Sequence, residues 1–230
     1  MGRVRVQVAG ITSARDALLV AEAGADAVGF TIGLPKGAPD DTPPEAAAAA
    51  VRALPPFVTP VLITYRSEAE EVARLLEAIG ARTVQLHGGA SEEAVARLRA
   101  LVPGVKVVRV VHVTGPEAVA EATTIADADA LLLDTFDPIT GRRGATGKTH
   151  DWRISAAIVR SVRVPVILAG GLRPENVAEA IRTVQPWGVD VHTGVEDAWG
   201  RLDPARLQAF LAAVAAAPLG GGRPHHPGVE

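Results

Sequence analysis

A single closed (β/α)8 barrel of parallel strands, a TIM barrel in the α/β class, is the fold that this sequence predicts. Short apolar, β-branched runs alternate eight times with alanine-rich helical patterns. The runs are apolar throughout rather than every second residue, as in parallel strands buried on both faces. The turn after the first run, Ala9-Gly10-Ile11-Thr12-Ser13, lacks the Gly-x-Gly-x-x-Gly that a dinucleotide-binding sheet would need there. At 230 residues the chain suits one barrel, a fold of roughly 250 residues.

The strands are read as Val4–Val8, Ala27–Phe30, Thr59–Ile63, Thr83–Gln85, Lys106–Val110, Ala130–Asp134, Pro165–Ala169 and Val189–His192. Ser13 caps a helix that reaches Ala23 and stops at Gly24. Pro43 opens a helix ending near Leu54, ahead of Pro55-Pro56. Ser67, Ser91 and Asp151 are read as further caps, and Arg173-Pro174-Glu175 as a helix start with proline in its first turn. The last helix runs from about Asp203 to Ala216. The barrel is expected to occupy residues 1–217, and the glycine- and proline-rich stretch 218–230 to be a flexible tail. The adjacent His225 and His226 of that stretch read as solvated rather than metal-binding.

Composition narrows the function classes. The net charge of -3 and pI near 6.1 lack the basic face that nucleic acid requires. Without cysteine there can be neither disulfides nor thiolate metal sites. The N-terminus leads straight into a strand with no signal core, and the longest apolar stretch, Ala209 to Ala217, is too short to span a bilayer. A cytoplasmic enzyme without membrane or nucleic-acid partners is expected.

Chemistry in this fold sits at the C-terminal strand ends and the loops that follow. The polar residues there are Gln7, Thr31, Lys36, Tyr65, His87, Arg109, Asp134, Lys148, Asp190 and His192. Glycine-rich turns occupy the later strand ends: Gly144-Ala145-Thr146-Gly147, Gly170-Gly171 and Thr193-Gly194. Glycine lets backbone N–H groups approach an anion closely, and such turns after the last strands form this fold's usual phosphate grip. A phosphorylated small molecule is therefore the expected ligand.

Asp134 ends the run Ala130-Leu131-Leu132-Leu133, where desolvation favours the proton-carrying form of a general acid. The alternative is a turn aspartate that accepts backbone N–H bonds. His87 reads as a base, a substrate hydrogen-bond donor or a rim packing residue. Gln7, Lys36, Arg109 and Lys148 are candidate substrate contacts, with Lys148 either neutralising an anion or solvated. Asp190 and His192 share a face of the last strand and read either as an acid–base pair or as a carboxylate fixing an imidazole.

Taken together, these segments resemble the phosphoribosylanthranilate isomerase family. The resemblance rests on Gly10-Ile11-Thr12, Gly24-Ala25-Asp26-Ala27-Val28-Gly29-Phe30, Gln85-Leu86-His87-Gly88 and Leu133-Asp134. It continues through Gly144 to Trp152, Leu168 to Leu172, Pro174-Glu175-Asn176-Val177, and Gly188-Val189-Asp190 … Gly194-Val195-Glu196. It implies an Amadori rearrangement of a phosphoribosylamine to a 1-deoxyribulose phosphate in tryptophan biosynthesis. No cofactor or metal is implied, the protein is expected as a monomer or homodimer, and Asp134 takes the family's general-acid position.

Three departures stand out. The family's base is a cysteine in Lys-Ile-Cys-Gly-Ile-Thr, where this chain reads Gln7-Val8-Ala9-Gly10-Ile11-Thr12. The family's Ser-Pro-Arg after the second strand is Leu34-Pro35-Lys36-Gly37, and its serine before the last Gly-Val-Glu is replaced by His192-Thr193. Losing a base costs about 10²–10⁴-fold in rate. His87 and His192 are the natural replacements, with Asp190 and Tyr65 behind them. A paralogue acting as isomerase, epimerase or lyase on another phosphosugar, and a non-catalytic phosphosugar binder, are the alternatives.

Overall fold

The computed structural model describes residues 3–34, 38, 40–135 and 149–218. Eight strands and eight α-helices alternate among them. The strands are β1 (Arg5–Val8), β2 (Ala27–Thr31), β3 (Thr59–Thr64), β4 (Thr83–Leu86), β5 (Lys106–His112), β6 (Ala130–Asp134), β7 (Val166–Leu168) and β8 (Gly188–Val191). The helices are α1 (Ala14–Glu22), α2 (Pro44–Ala53), α3 (Ala69–Ile79), α4 (Glu92–Leu101), α5 (Ala118–Thr124), α6 (Trp152–Ser161), α7 (Val177–Val184) and α8 (Pro204–Ala216). The strands follow chain order, β1 to β8, in one closed barrel, so the fold is the (β/α)8 barrel read from the sequence.

Helix ends show why the local sequence reads as it does. Ser13, Ser91 and Asp151 each accept a backbone N–H of the following turn, and Asp203 accepts two, from Ala205 and Arg206. Each such cap contributes about 1 kcal/mol. Two expectations need correction. Ser67 is not a cap: α3 begins after Glu68, whose carbonyl accepts from Val72 N at 3.0 Å. Nor does a helix open at Pro174. Asn176 Oδ1 accepts from Arg173 N at 2.8 Å while its Nδ2 donates to the Gly171 carbonyl, which shapes residues 173–176 into a turn, and α7 starts at Val177.

The backbone divides into two compact units. One comprises Gln7–Val110 with Ala126–Asp129. Within it β2 pairs with β3 and β3 with β4 in parallel register, for example Val28↔Pro60 and Leu62↔Val84. Phe30, Leu62, Leu76, Leu86 and Leu98 are fully buried there. Cutting such a leucine to alanine costs about 2–5 kcal/mol. The short segment Ala126–Asp129 belongs to this unit for a polar reason. Arg99 bridges Asp127, Asp129 and the Val105 carbonyl, while Asp129 also accepts from Val107 N and Lys106 Nζ. Partial burial opposes ionisation of Asp129, but these donors outweigh it and hold its carboxyl below the usual range.

The other unit comprises Met1–Val6, Val111–Ile125 and Ala130 onward. Leu131↔Val166 and Leu133↔Leu168 set the β6–β7 register, and Ile167↔Gly188 that of β7 and β8. Leu131, Leu132, Leu133, Ile158, Leu168 and Phe210 fill its core. No helix among the described residues is long and apolar enough to cross a membrane. The stretch expected to be a tail lies, from residue 219, outside the described residues.

Candidate active site

Asp134 is the last residue of β6 and is 4% exposed. Three leucines carry the strand through the core, so the carboxyl arrives at its C-terminal end already desolvated. The N–H of Thr135 donates to Asp134 Oδ1 at 2.7 Å. Thr135 Oγ1 lies 3.1 Å from His150 Nδ1, and His150 Nε2 lies 2.6 Å from the hydroxyl of the fully buried Ser155. Burial pushes His150 down to about 4, although the charges of Asp134 and Asp151 pull the other way. The ring is therefore neutral at physiological pH. Neither Thr135, His150 nor Ser155 was singled out from sequence. His150 stands in Thr149-His150-Asp151-Trp152, and only folding brings it to the end of β6.

Two of the expected phosphate turns are described. Gly170 and Gly171 follow β7 with φ of +84° and +62°, left-handed values that glycine adopts without strain. A Cβ on Gly170 would fall onto Thr135 Oγ1, so the glycine also makes room for the neighbour of Asp134. Thr193–Val195 forms a single 3₁₀ turn after β8. A Cβ on Gly194 would strike the Leu172 carbonyl, and Arg206 donates to the Gly194 carbonyl through Nε at 3.2 Å and Nη2 at 3.0 Å. These contacts pack the two turns together, with Arg206 behind the second. Gly144, Ala145, Thr146, Gly147 and Lys148, like Lys36, lie outside the described residues.

His192 leaves β8 with its Nε2 3.1 Å from Glu196 Oε1. Its carboxylate neighbour is thus four residues along the chain, a spacing visible in the sequence but not used in reading it. Asp190 is buried within β8.

The strand ends of the other unit present a different chemistry. Gln7 Nε2 on β1 donates to Gln85 Oε1 on β4 at 2.9 Å, and Gln85 Nε2 lies 3.1 Å from His87 Nδ1. With amide nitrogen facing Nδ1, the lone pair of that nitrogen is engaged and the neutral ring carries its proton on Nε2. Tyr65 lies against the ring, its centroid 4.9 Å away. Gly88 is required at the next position because a Cβ there would meet the Tyr65 carbonyl. Gln85 was missed as a site residue, yet it stands two residues before His87, as strand alternation allows.

Arg109, a candidate substrate contact, has its guanidinium occupied: Nη1 meets Glu92 Oε1 at 3.0 Å and Nη2 the Ala90 carbonyl at 2.6 Å. The carbonyl of Thr31 accepts from Thr42 N, which shapes the loop after β2. Ala9, at the position expected for a base, packs in an apolar cluster with Val61 and Ile63. A Cβ on Gly29 would sit 2.6 Å from Ile63 Cδ1 and 3.3 Å from Ala9 Cα, so little room is left there.

Known proteins share the sequence and the fold of this chain. Residues 6–213 match the family model described as N-(5′phosphoribosyl)anthranilate (PRA) isomerase. N-(5′-phosphoribosyl)anthranilate isomerase 2 of Methanosarcina mazei is 40% identical over 209 residues, covering 90% of this chain and 92% of that protein. The crystal structure of the isomerase from Thermotoga maritima superposes with a TM-score of 0.81 at 33% identity, covering 92% of this chain and 98% of that one. A further isomerase structure, in complex with reduced 1-(o-carboxyphenylamino)-1-deoxyribulose 5-phosphate, gives a TM-score of 0.78 at 32% identity over the same shares. The chain belongs to the phosphoribosylanthranilate isomerase family.

Proposed function

We propose that this chain isomerises N-(5′-phosphoribosyl)anthranilate, a step of tryptophan biosynthesis, with Asp134 as general acid and His192, backed by Glu196, as general base. Asp134 donates its proton to the ribose ring oxygen as the C1′–O bond breaks, which leaves a Schiff base. His192 then removes the C2′ proton to give the enolamine, which tautomerises to the ketone. The observation that carries this reading is the carboxyl of Asp134, buried at the end of β6 and fixed by the Thr135 N–H.

The two imidazoles are not equivalent as bases. The Glu196 carboxylate, 3.1 Å from Nε2 of His192, stabilises the imidazolium formed on proton uptake, and Nδ1 is assigned to take the proton. His87 has an amide nitrogen facing its acceptor atom, which suits a hydrogen-bond donor to substrate better than a base. Backbone N–H groups of Gly170-Gly171 and Thr193-Gly194 are assigned to the phosphate, with the Gly144–Gly147 loop and Lys148 completing the grip. The phosphorylated product analogue held by the related isomerase supports this substrate class.

The test is turnover of N-(5′-phosphoribosyl)anthranilate by the purified protein, with rescue of a tryptophan auxotroph. Activity abolished by Asp134→Asn is the expected result. Failure of both assays at high protein level, with binding of other sugar phosphates, would move the assignment to another phosphosugar.

A further inference from the structure

The side chains around Asp134 do more than bury it. Thr135 touches the acid through its backbone, His150 through its hydroxyl, and the phosphate-side turn through the space that Gly170 leaves. His150 is itself held from behind by Ser155, which is fully buried in α6. The acid, the glycine turn and the start of α6 therefore meet on one threonine.

We propose that His150 is a positioning residue for the general acid: locked between Ser155 and Thr135, it fixes Thr135 and thereby the Thr135 N–H that orients Asp134. This inference rests on the assignment of Asp134 as the acid.

Two physical points support it. A neutral imidazole has one donor and one acceptor nitrogen, so with a hydroxyl at each, one hydroxyl gives a hydrogen bond and the other receives one. Both rotors are thereby set together. Second, a neutral ring adds no positive charge beside the carboxyl assigned as the acid. Among the described residues, the titratable groups acting on His150 are Asp134 of β6 and the adjacent Asp151, and Asp151 is occupied by Arg153 of α6 at 2.7 Å. Burial nevertheless keeps the ring neutral.

The experiment combines kinetics with nuclear magnetic resonance on the full chain. His150→Phe is expected to lower kcat by about 10- to 50-fold with KM within about twofold, because geometry rather than binding is lost. His150→Asn, whose amide can replace Nδ1 toward Thr135, is expected to recover most of that loss. Thr135→Val combined with His150→Phe is expected to lose no more than the worse single variant, since both act through one contact. Strictly additive losses, or equal loss in the Asn variant, would overturn the proposal.

The resonance arm does not depend on turnover. Imidazole ¹⁵N shifts of His150 are expected to remain those of a neutral ring from pH 8 to about pH 5. The Thr135 amide proton is expected to move in His150→Phe and to stay in place in His150→Asn. A ring that titrates near its ordinary value, or an unmoved amide, rejects the positioning role even in an active enzyme. An inactive wild type with these shifts intact rejects the assigned reaction alone. Ser155→Ala, which keeps the ring and removes its support, serves the same readouts should His150→Phe fail to fold.

Discussion

The strand ends of β6–β8 and those of β1–β4 are built from opposite kinds of chemistry. The first set carries groups that can exchange protons: Asp134 with its Thr135–His150–Ser155 chain, and His192 against Glu196. The second carries neutral amides in series, an aromatic ring over His87, and an apolar patch around Ala9. The resemblance puts the family's base at the end of the first strand, where this chain has Gln7 on β1 and Ala9 just beyond it. On the proposed assignment both proton movers belong to the β6–β8 strand ends, whereas the β1–β4 strand ends carry amides and apolar groups in their place.

That division can be broken experimentally. The largest effect is expected from Asp134→Asn, which should lower kcat/KM by about 10³–10⁴-fold in a coupled fluorescence assay, since the reaction then has no acid. His192→Gln should follow with about 10²–10³-fold, and Glu196→Gln with less, as the ring keeps its basic nitrogen but loses its partner. His87→Gln should cost no more than about tenfold, with the loss mainly in KM, if the β1–β4 side recognises substrate. A larger kcat loss at His87 than at His192 would exchange the two roles.

Ala9→Cys sharpens the same contrast. A gain of less than about tenfold is expected, because the proposed base, His192, follows β8 and a thiol at Ala9 would enter an apolar cluster. A gain of two orders of magnitude or more would return the base to the first strand. Stability offers smaller tests. Gly170→Ala combines a left-handed backbone with a collision on Thr135, and should lower the free energy of unfolding by about 1–3 kcal/mol in urea titrations.

His150 sits at about 4 in the folded protein against 6.5 for the ordinary side chain. The unfolded chain therefore binds more protons between those values, and stability falls as pH drops from 6.5 toward 4. The loss ascribed to this ring is roughly 2–3 kcal/mol. His150→Asn should flatten that part of the urea-unfolding profile, whereas the carboxylates Asp129, Asp151 and Asp197, all held low, act at lower pH.

Much of the scaffold was legible because its signals are local. The run Ala130–Asp134 reads as a buried strand from five consecutive residues, and that is where β6 lies. Caps such as Ser13 and Ser91 act over three residues, so spacing alone reveals them. Local signals also misled. Ser67 has a cap's chemistry one residue too early, and Pro174 has a helix-opening residue inside a turn that Asn176 closes.

Sequence by itself determined the alternation of strands and helices, the glycine turns, and a carboxyl at the end of an apolar strand, because each depends on neighbours along the chain. It also showed that the first strand carries alanine where a base belongs. Only the tertiary structure decided which groups meet. Gln7 and Gln85 are 78 positions apart and Thr135 and His150 are 15 apart, and no periodicity links either pair. Their contact follows from the pairing of strands and the docking of α6, which select partners by packing rather than by distance along the chain. Gly170-Gly171 and Thr193-Gly194 thus follow β7 and β8 where the sequence put them, while the groups that meet beside them were brought together by folding.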